Sequence, residues 1–376
     1  SSDLMPLYAS KAFCCKEMCR IVNEEGMGLD VVSGGELYTA LQAGFPAERI
    51  QMHGNNKTPD ELSYAINSGV GHIVIDNIDE LKMLDEMAGK LHQTVGVSLR
   101  IKPGIDAHTH QFIRTGQIDS KFGFALETGE AMQAVKMAVR AKNLKLLELH
   151  CHIGSQIFEL QPFVLAAQVM MDFMQQVRKE TGVMLPELNL GGGFGIQYVA
   201  SDNSLPYESY MEKVSEAIRQ KCKEYNFTEP RIYIEPGRSI VGEAGITLYT
   251  VGAVKRIPNI RTYVSIDGGM TDNPRYALYQ SDYTVIVANH ADQPANQIVT
   301  VAGKCCESGD LIQKDAPLQM CKAGDLLAVL STGAYNYSMA SNYNRIPRPA
   351  VVMVHDGKTH IAVKRETYED LIHNDL

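Results

Sequence analysis

The chain has no long run of lysine or arginine, and with 35 basic against 44 acidic residues its net charge is −9. Gripping nucleic-acid phosphates or anionic lipid takes clustered positive charge, so neither is an expected partner. It also lacks any apolar stretch of about 18 residues, the length that crosses a bilayer as a helix, and this speaks against a membrane span. No basic-then-apolar signal pattern opens the chain. The eight cysteines show neither the C-x-x-C spacing of zinc or redox sites nor a secreted disulfide framework; Cys14-Cys15 and Cys305-Cys306 are simply adjacent pairs. A reducing, cytoplasmic setting is the expectation, with small molecules as ligands.

What is present is an ordinary globular composition, 45% apolar and 21% charged, with enough apolar side chain to fold without external staples. At 376 residues the chain exceeds the size at which one core stops growing, so two domains are expected. Through residue 242, short apolar β-rich runs at 7–9, 28–32, 49–53, 72–75, 95–101, 145–151, 186–190 and 231–235 alternate with helical stretches such as 60–68, 129–141, 163–180 and 207–225. Eight βα units in this rhythm predict an α/β domain over 1–242, a closed (β/α)8 TIM barrel in preference to an open doubly wound sheet. From 243 to 376 the helical period vanishes and β-branched runs alternate with Gly, Pro, Asn and Asp turns, predicting a C-terminal all-β domain, Greek-key barrel or sandwich-like. The run 7–9 reads as a core strand with no capping element before it, which points to residues preceding Ser1.

Barrel chemistry gathers at the carboxyl ends of the strands, so the residues just after each apolar run carry the information. The first run ends in Ser10-Lys11-Ala12-Phe13. A lysine amine there can become a Schiff-base nucleophile, the ordinary alternative being a solvated strand-end lysine. The seventh runs into Gly191-Gly192-Gly193-Phe194-Gly195, where bare backbone can turn several N–H groups toward a phosphate, or merely make a tight turn. It fits neither the dinucleotide G-x-G-x-x-G nor the P-loop pattern. The eighth gives Glu235-Pro236-Gly237-Arg238. A carboxylate there favours a protonated pyridine, and the arginine matches a carboxylate or phosphate; an internal Glu235–Arg238 ion pair is the alternative. The sixth ends His150-Cys151-His152-Ile153-Gly154-Ser155. Two histidines two apart could ligate a metal, but with no third ligand nearby we expect none and favour a histidine stacked on an aromatic cofactor. His108 and His110 read as a solvated loop pair. Three polar interruptions follow in the second domain, around Arg275 to Tyr279, Cys305-Cys306-Glu307 and Gly333-Ala334-Tyr335.

In this order the motifs Tyr8-Ala9-Ser10-Lys11, His152-Ile153-Gly154-Ser155, Gly191 to Gly195, Glu235-Pro236-Gly237-Arg238, Cys306-Glu307-Ser308 and Gly333-Ala334-Tyr335 resemble the fold-type III pyridoxal-phosphate-dependent decarboxylases over nearly the whole chain. The resemblance implies pyridoxal 5'-phosphate as cofactor, carried as a Schiff base on Lys11, with His152 stacked on its ring. It implies that Ser155, Gly193 and the backbone of Gly237-Arg238 hold the phosphate, that Glu235 pairs with the pyridine nitrogen, and that Tyr335 lies beside cofactor and substrate. Members are typically homodimers with shared sites, so Cys306, the expected proton donor, and Glu307 would serve the partner subunit's cofactor. Phe13 departs from the asparagine common there, and the family normally carries an N-terminal segment belonging to the β domain.

Charge favours meso-2,6-diaminopimelate as substrate, decarboxylated to L-lysine. Arg238, Arg275 and Tyr279 can take its distal carboxylate and Glu307 its ammonium, whereas ornithine would leave a desolvated arginine unpaired at a cost of about a few kcal/mol. Relatives acting on ornithine or arginine usually have Cys-Asp where this chain has Cys306-Glu307. The alternatives are an ornithine, arginine or carboxynorspermidine decarboxylase of the same family, and an inactive regulatory homologue. The presence of Lys11, Glu235 and Cys306 speaks against the last.

Overall fold

The computed structural model describes residues 4–105 and 119–376. His108 and His110 lie outside the described residues. The chain divides into two compact units, Ser1–Gly195 with Ser204–Gly237, and Ile196–Asn203 with Arg238–Leu376.

The first unit is built on parallel strands β1 (Leu4–Ala9), β2 (Gly28–Val31), β3 (Ile50–Met52), β4 (His72–Ile75), β5 (Val95–Lys102), a two-residue β6 (Phe124–Ala125), β7 (Leu144–Cys151), β8 (Glu187–Asn189) and β9 (Arg231–Ile234). Pairing runs β4-β3-β2-β1-β9-β8-β7-β5, and a further β4–β5 pairing closes the ring, leaving β6 appended to β5. Eight strands therefore form a closed barrel, as their rhythm predicted. Most of the strands read as apolar runs because much of each is buried. Leu29, Val31, Ile50, Met52, Ile73, Ile75 and Leu99 are all fully buried, each contributing roughly 1.5–3 kcal/mol.

Local signals set the helices between them. Helix α3 (Pro59–Ser68; α1 is Lys16–Glu24 and α2 Gly34–Gln42) starts with a Thr58/Glu61 capping box and a proline in its first turn, and ends at Gly69 with φ 74°. These devices satisfy the amide and carbonyl groups that a helix end leaves unpaired. The barrel interior also holds polar side chains. Gln51 of β3 donates to Glu148 of β7 at 3.1 Å, and because those strands are not neighbours in the sheet, this bond crosses the barrel.

The second unit contains a six-stranded sheet and a hairpin. The sheet strands are β10 (Thr247–Ile257), β11 (Arg261–Ile266), β12 (Val285–Val287), β13 (Gln297–Ala302), β14 (Leu311–Leu318) and β15 (Leu326–Val329), in the order β12-β15-β10-β11-β13-β14. All pairs are antiparallel except β11–β13. The hairpin pairs β16 (Val351–His355) with β17 (Lys358–Val363). The core of the unit joins Tyr198, Tyr249, Val251, Val264, Val299, Ile312 and Leu327. Sequence patterning missed β14, whose alternation is broken by Lys314-Asp315 and Pro317; Asp315 has φ 52° and the register shifts beside it, as at a bulge.

Candidate active site

The carboxyl ends of the barrel strands bring a dense polar set together. Glu235 follows β9 directly and is buried. Its Oε1 accepts from the Asn189 amide of β8 at 2.8 Å and lies 2.9 Å from His53 Nε2. Its Oε2 accepts from His150 Nε2 of β7 at 3.1 Å. Burial alone would push the Glu235 carboxyl up, but the charge of His53 and its hydrogen-bond partners outweigh that and hold it well below the usual carboxylate range. The acid is an anion deep in the barrel, with one hydrogen bond at each oxygen and the His53 cation beside Oε1.

The flanking groups divide sharply. Burial would drive His53 down, yet the charges of Asp30 and Glu235 raise it, so it holds its proton. Asp30, 3.7 Å away, is pushed by burial to about 7. Burial takes His150 down to about 4, leaving it neutral with its proton on the nitrogen that faces Glu235. His53, His150 and Glu235 have ligand atoms within 4.8 Å of one another, a geometry that could also hold a metal. The hydrogen bonds and the ion pair already account for it.

Backbone contacts join the loops after β7, β8 and β9. A Cβ on Gly192 would stand 2.1 Å from the Glu235 carbonyl oxygen, and one on Gly193, whose φ is 110°, would stand 2.4 Å from that of Gly154. Only glycine fits either place. Ile157 N–H donates to Gly193 O and Gly195 N–H to Ile157 O, at 2.9 and 3.1 Å. The loop is anchored from behind by Phe194, stacked on Phe163 at 5.0 Å and edge-on to Tyr210. Half-buried His152 accepts from Gly192 N–H at Nδ1, 3.4 Å away. Burial and then the Lys11 charge hold it well below its ordinary range, so it is neutral.

Lys11 sits in the 3-10 turn Ser10–Ala12 that ends β1, with its side chain exposed. Its charge acts on Asp30, Glu36 and His152, which puts it at the same barrel end as the acid and the glycine loop. Ser155 is exposed in the loop after β7, and Gly237 is buried, a Cβ there meeting Ala9 at 2.9 Å. The first unit thus brings Lys11, His152, Gly193, Glu235 and Gly237 to one end.

Within the second unit, Arg238 donates to Tyr198 Oη at 2.6 Å and lies over the Tyr335 ring at 4.7 Å. Tyr335 has φ 60°. Arg275, in helix α9 (Arg275–Tyr279; α4 to α8 are Ile78–Lys90, Glu130–Arg140, Gln161–Thr181, Tyr207–Tyr225 and Arg238–Val241), is only 6% exposed. It donates to Tyr283 Oη and Ser281 Oγ at 3.1 and 3.3 Å and packs on Tyr198 at 4.3 Å. Tyr279 is exposed. Cys306 and Glu307 are exposed in a turn that Asn344 holds by accepting from Cys306 N–H at 2.7 Å.

Sequence reading passed over Asp30, His53 and Asn189. Their signal is a polar residue inside or directly after an apolar barrel strand, the same signal that drew attention to Lys11 and Glu235.

An amine, a neutral histidine, a glycine cradle and a buried anion at one barrel end suit a phosphorylated pyridine aldehyde. Residues 2–242 match the family model for the pyridoxal-dependent decarboxylase, pyridoxal binding domain. The chain belongs to the pyridoxal-dependent decarboxylase family. It is accordingly an enzyme of the carboxy-lyase class whose cofactor is pyridoxal 5'-phosphate. Among relatives, it is similar to diaminopimelate decarboxylases. It is 52% identical to that of Bacillus subtilis over 369 residues, covering 98% of this chain and 84% of the relative, and 51% identical to that of Staphylococcus aureus, covering 98% and 86%. The crystal structure of the M. jannaschii enzyme in co-complex with L-lysine superposes with a TM-score of 0.93 at 36% identity, covering 100% of this chain and 85% of that one. No helix among the described residues is long and apolar enough to cross a membrane.

Proposed function

We propose that this chain decarboxylates meso-2,6-diaminopimelate to L-lysine and carbon dioxide. The observation that carries the reading is the buried Glu235 anion, held by His53, His150 and Asn189 beside a glycine cradle at the mouth of the barrel. Bound pyridoxal phosphate supplies the sink for the electron pair that carbon dioxide leaves behind. Glu235 keeps the proton on the ring nitrogen that makes the sink effective. Lys11 would hold the cofactor through its side-chain amine. His152, neutral and hydrogen-bonded to the Gly192 N–H, offers its ring to the cofactor face. Gly193, Ser155 and the backbone of Gly237-Arg238 would bind the phosphate. Cys306 would hold the proton that replaces the departing carboxylate.

The choice of substrate rests on Arg275. Among the described residues it has no carboxylate within ion-pair distance, although it is buried and hydrogen-bonded only to hydroxyls. A buried cation of this kind is strongly favoured by an incoming carboxylate, and diaminopimelate, unlike ornithine, has a second one to offer. Tyr279, Tyr335 and Arg238 line the same ligand and Glu307 takes its ammonium. The resemblance supports a homodimer in which Cys306 and Glu307 complete the partner subunit's site, and the free cysteines suit a reducing, cytoplasmic setting. Carbon dioxide release from meso-diaminopimelate, with ornithine as competitor, tests the substrate. Lys11→Ala is expected to lose both turnover and the visible absorbance of bound cofactor; a variant that stays yellow and active would remove Lys11 from the reaction.

A further inference from the structure

Glu235 is engaged by two histidines that differ in every respect that matters electrically. His53 comes from the residue just past β3 and is fixed by its own N–H, which donates to Val31 O at 2.8 Å. His150 comes from inside β7. Their rings meet edge to face with centroids 4.8 Å apart. Each reaches a different carboxylate oxygen, His53 Oε1 and His150 Oε2. Both are buried, at 5% and 1% exposure, so water does not compete for the acid.

We propose that His53 and His150 are positioning residues for Glu235, each presenting one ring nitrogen to one of its oxygens, so that the carboxylate is held as an anion with a lone pair left for the cofactor's ring nitrogen. The inference rests on the reading of Glu235 as that nitrogen's partner and deepens it.

The two histidines have separate tasks. An isolated buried carboxylate takes up a proton, and a protonated acid cannot hold a proton on a pyridine nitrogen. His53, cationic between Asp30 and Glu235, supplies the charge that prevents this. If His150 were also cationic, Glu235 would be over-compensated and its pull on the ring proton weakened. Burial keeps His150 neutral, so it contributes direction without charge. Asn189 donates to Oε1, which the His53 cation also faces, so Oε2, with His150 alone on it, is the less occupied oxygen. The acid therefore cannot rotate without breaking contacts to three different strand ends.

The test uses the holoenzyme reconstituted with cofactor labelled with nitrogen-15 in its ring. The solid-state resonance of that nitrogen reports its proton, and kcat and KM for meso-diaminopimelate are measured alongside. Wild type is expected to show the protonated position and Glu235→Gln to lose it. His53→Leu and His150→Leu are each expected to move the resonance toward the unprotonated position and to lower kcat about 10- to 100-fold, with KM changed by less than about threefold. Where a leucine variant fails to fold, glutamine variants carry the test. His150→Gln, which keeps a neutral donor at a similar reach, is expected to retain the wild-type resonance, while His53→Gln, which keeps a donor but loses the charge, is expected to shift it. If folded His53 and His150 variants keep both the resonance and kcat of wild type while Glu235→Gln changes them, the histidines do not position the acid and the role of Glu235 stands. If Glu235→Gln itself keeps the protonated resonance, the role of Glu235 falls, and the inference with it.

Discussion

Arg275 shows how much a single side chain can decide. Its guanidinium has five donors in a fixed fork and here reaches two hydroxyls while lying on the Tyr198 ring. Lysine keeps the charge but offers a compact ammonium that cannot bind a carboxylate in two places. Arg275→Lys is therefore expected to raise KM for meso-diaminopimelate by about 10- to 100-fold, equivalent to roughly 1.4–2.8 kcal/mol, and to leave kcat within a few-fold, because the distal carboxylate is bound equally before and during reaction. Steady-state kinetics with an unfolding curve on the same preparation check this. An unchanged KM in a fully folded variant would move the distal carboxylate to another residue.

At the scale of elements, the site is a property of strand ends. The loops after β8 and β9 touch through backbone at Gly192 and Glu235, where a methyl group would stand 2.1 Å from a carbonyl oxygen. Neither side can yield by turning a side chain. Gly192→Ala is expected to cost about 1–3 kcal/mol of stability and, by shifting the first residue after β9, to weaken cofactor binding as well. Denaturant unfolding of the apoenzyme and titration with pyridoxal phosphate separate the two effects; a loss of stability at unchanged cofactor affinity would show that the loop binds nothing. The same geometry explains what was legible in the sequence. Lys11, Gly193 and Glu235 stand immediately past apolar runs, where a barrel displays its chemistry, and the runs themselves are distinct enough to count. Asp30 was not legible because it is a single polar residue within an apolar strand, and Asn189 because it shares a three-residue strand with Glu187; only closure of the ring shows which partner each one faces. His53 was within reach by the strand-end rule, but as a lone histidine in His53-Gly54-Asn55-Asn56 it resembles an ordinary polar turn.

At the scale of the whole molecule, closing eight strands creates an interior whose polar groups come from segments far apart in sequence, and this couples folding to pH. Glu148 is fully buried, accepts from Gln51 across the barrel and lies near the His72–Glu187 pair, which is joined at 2.7 Å. Burial pushes its carboxyl up to about 7, whereas in the unfolded chain it titrates near 4.3. Below pH 4 it is protonated in both states and favours neither. As pH rises from about 4.5 to 7 the unfolded chain releases its proton while the folded one retains it, so stability falls through this window and levels off above it. With about 2.7 between the two values, the loss amounts to about 4 kcal/mol. Glu148→Gln keeps an acceptor for the Gln51 amide and cannot ionise, so it is expected to flatten its share of this slope and to be more stable than wild type at pH 8 yet no more stable at pH 4.5. Urea unfolding of both proteins across pH 4.5–8 measures the difference directly. Parallel stability curves for the two would mean that the buried acid at 148 is already ionised at neutral pH, sustained by the His72 charge rather than by a retained proton.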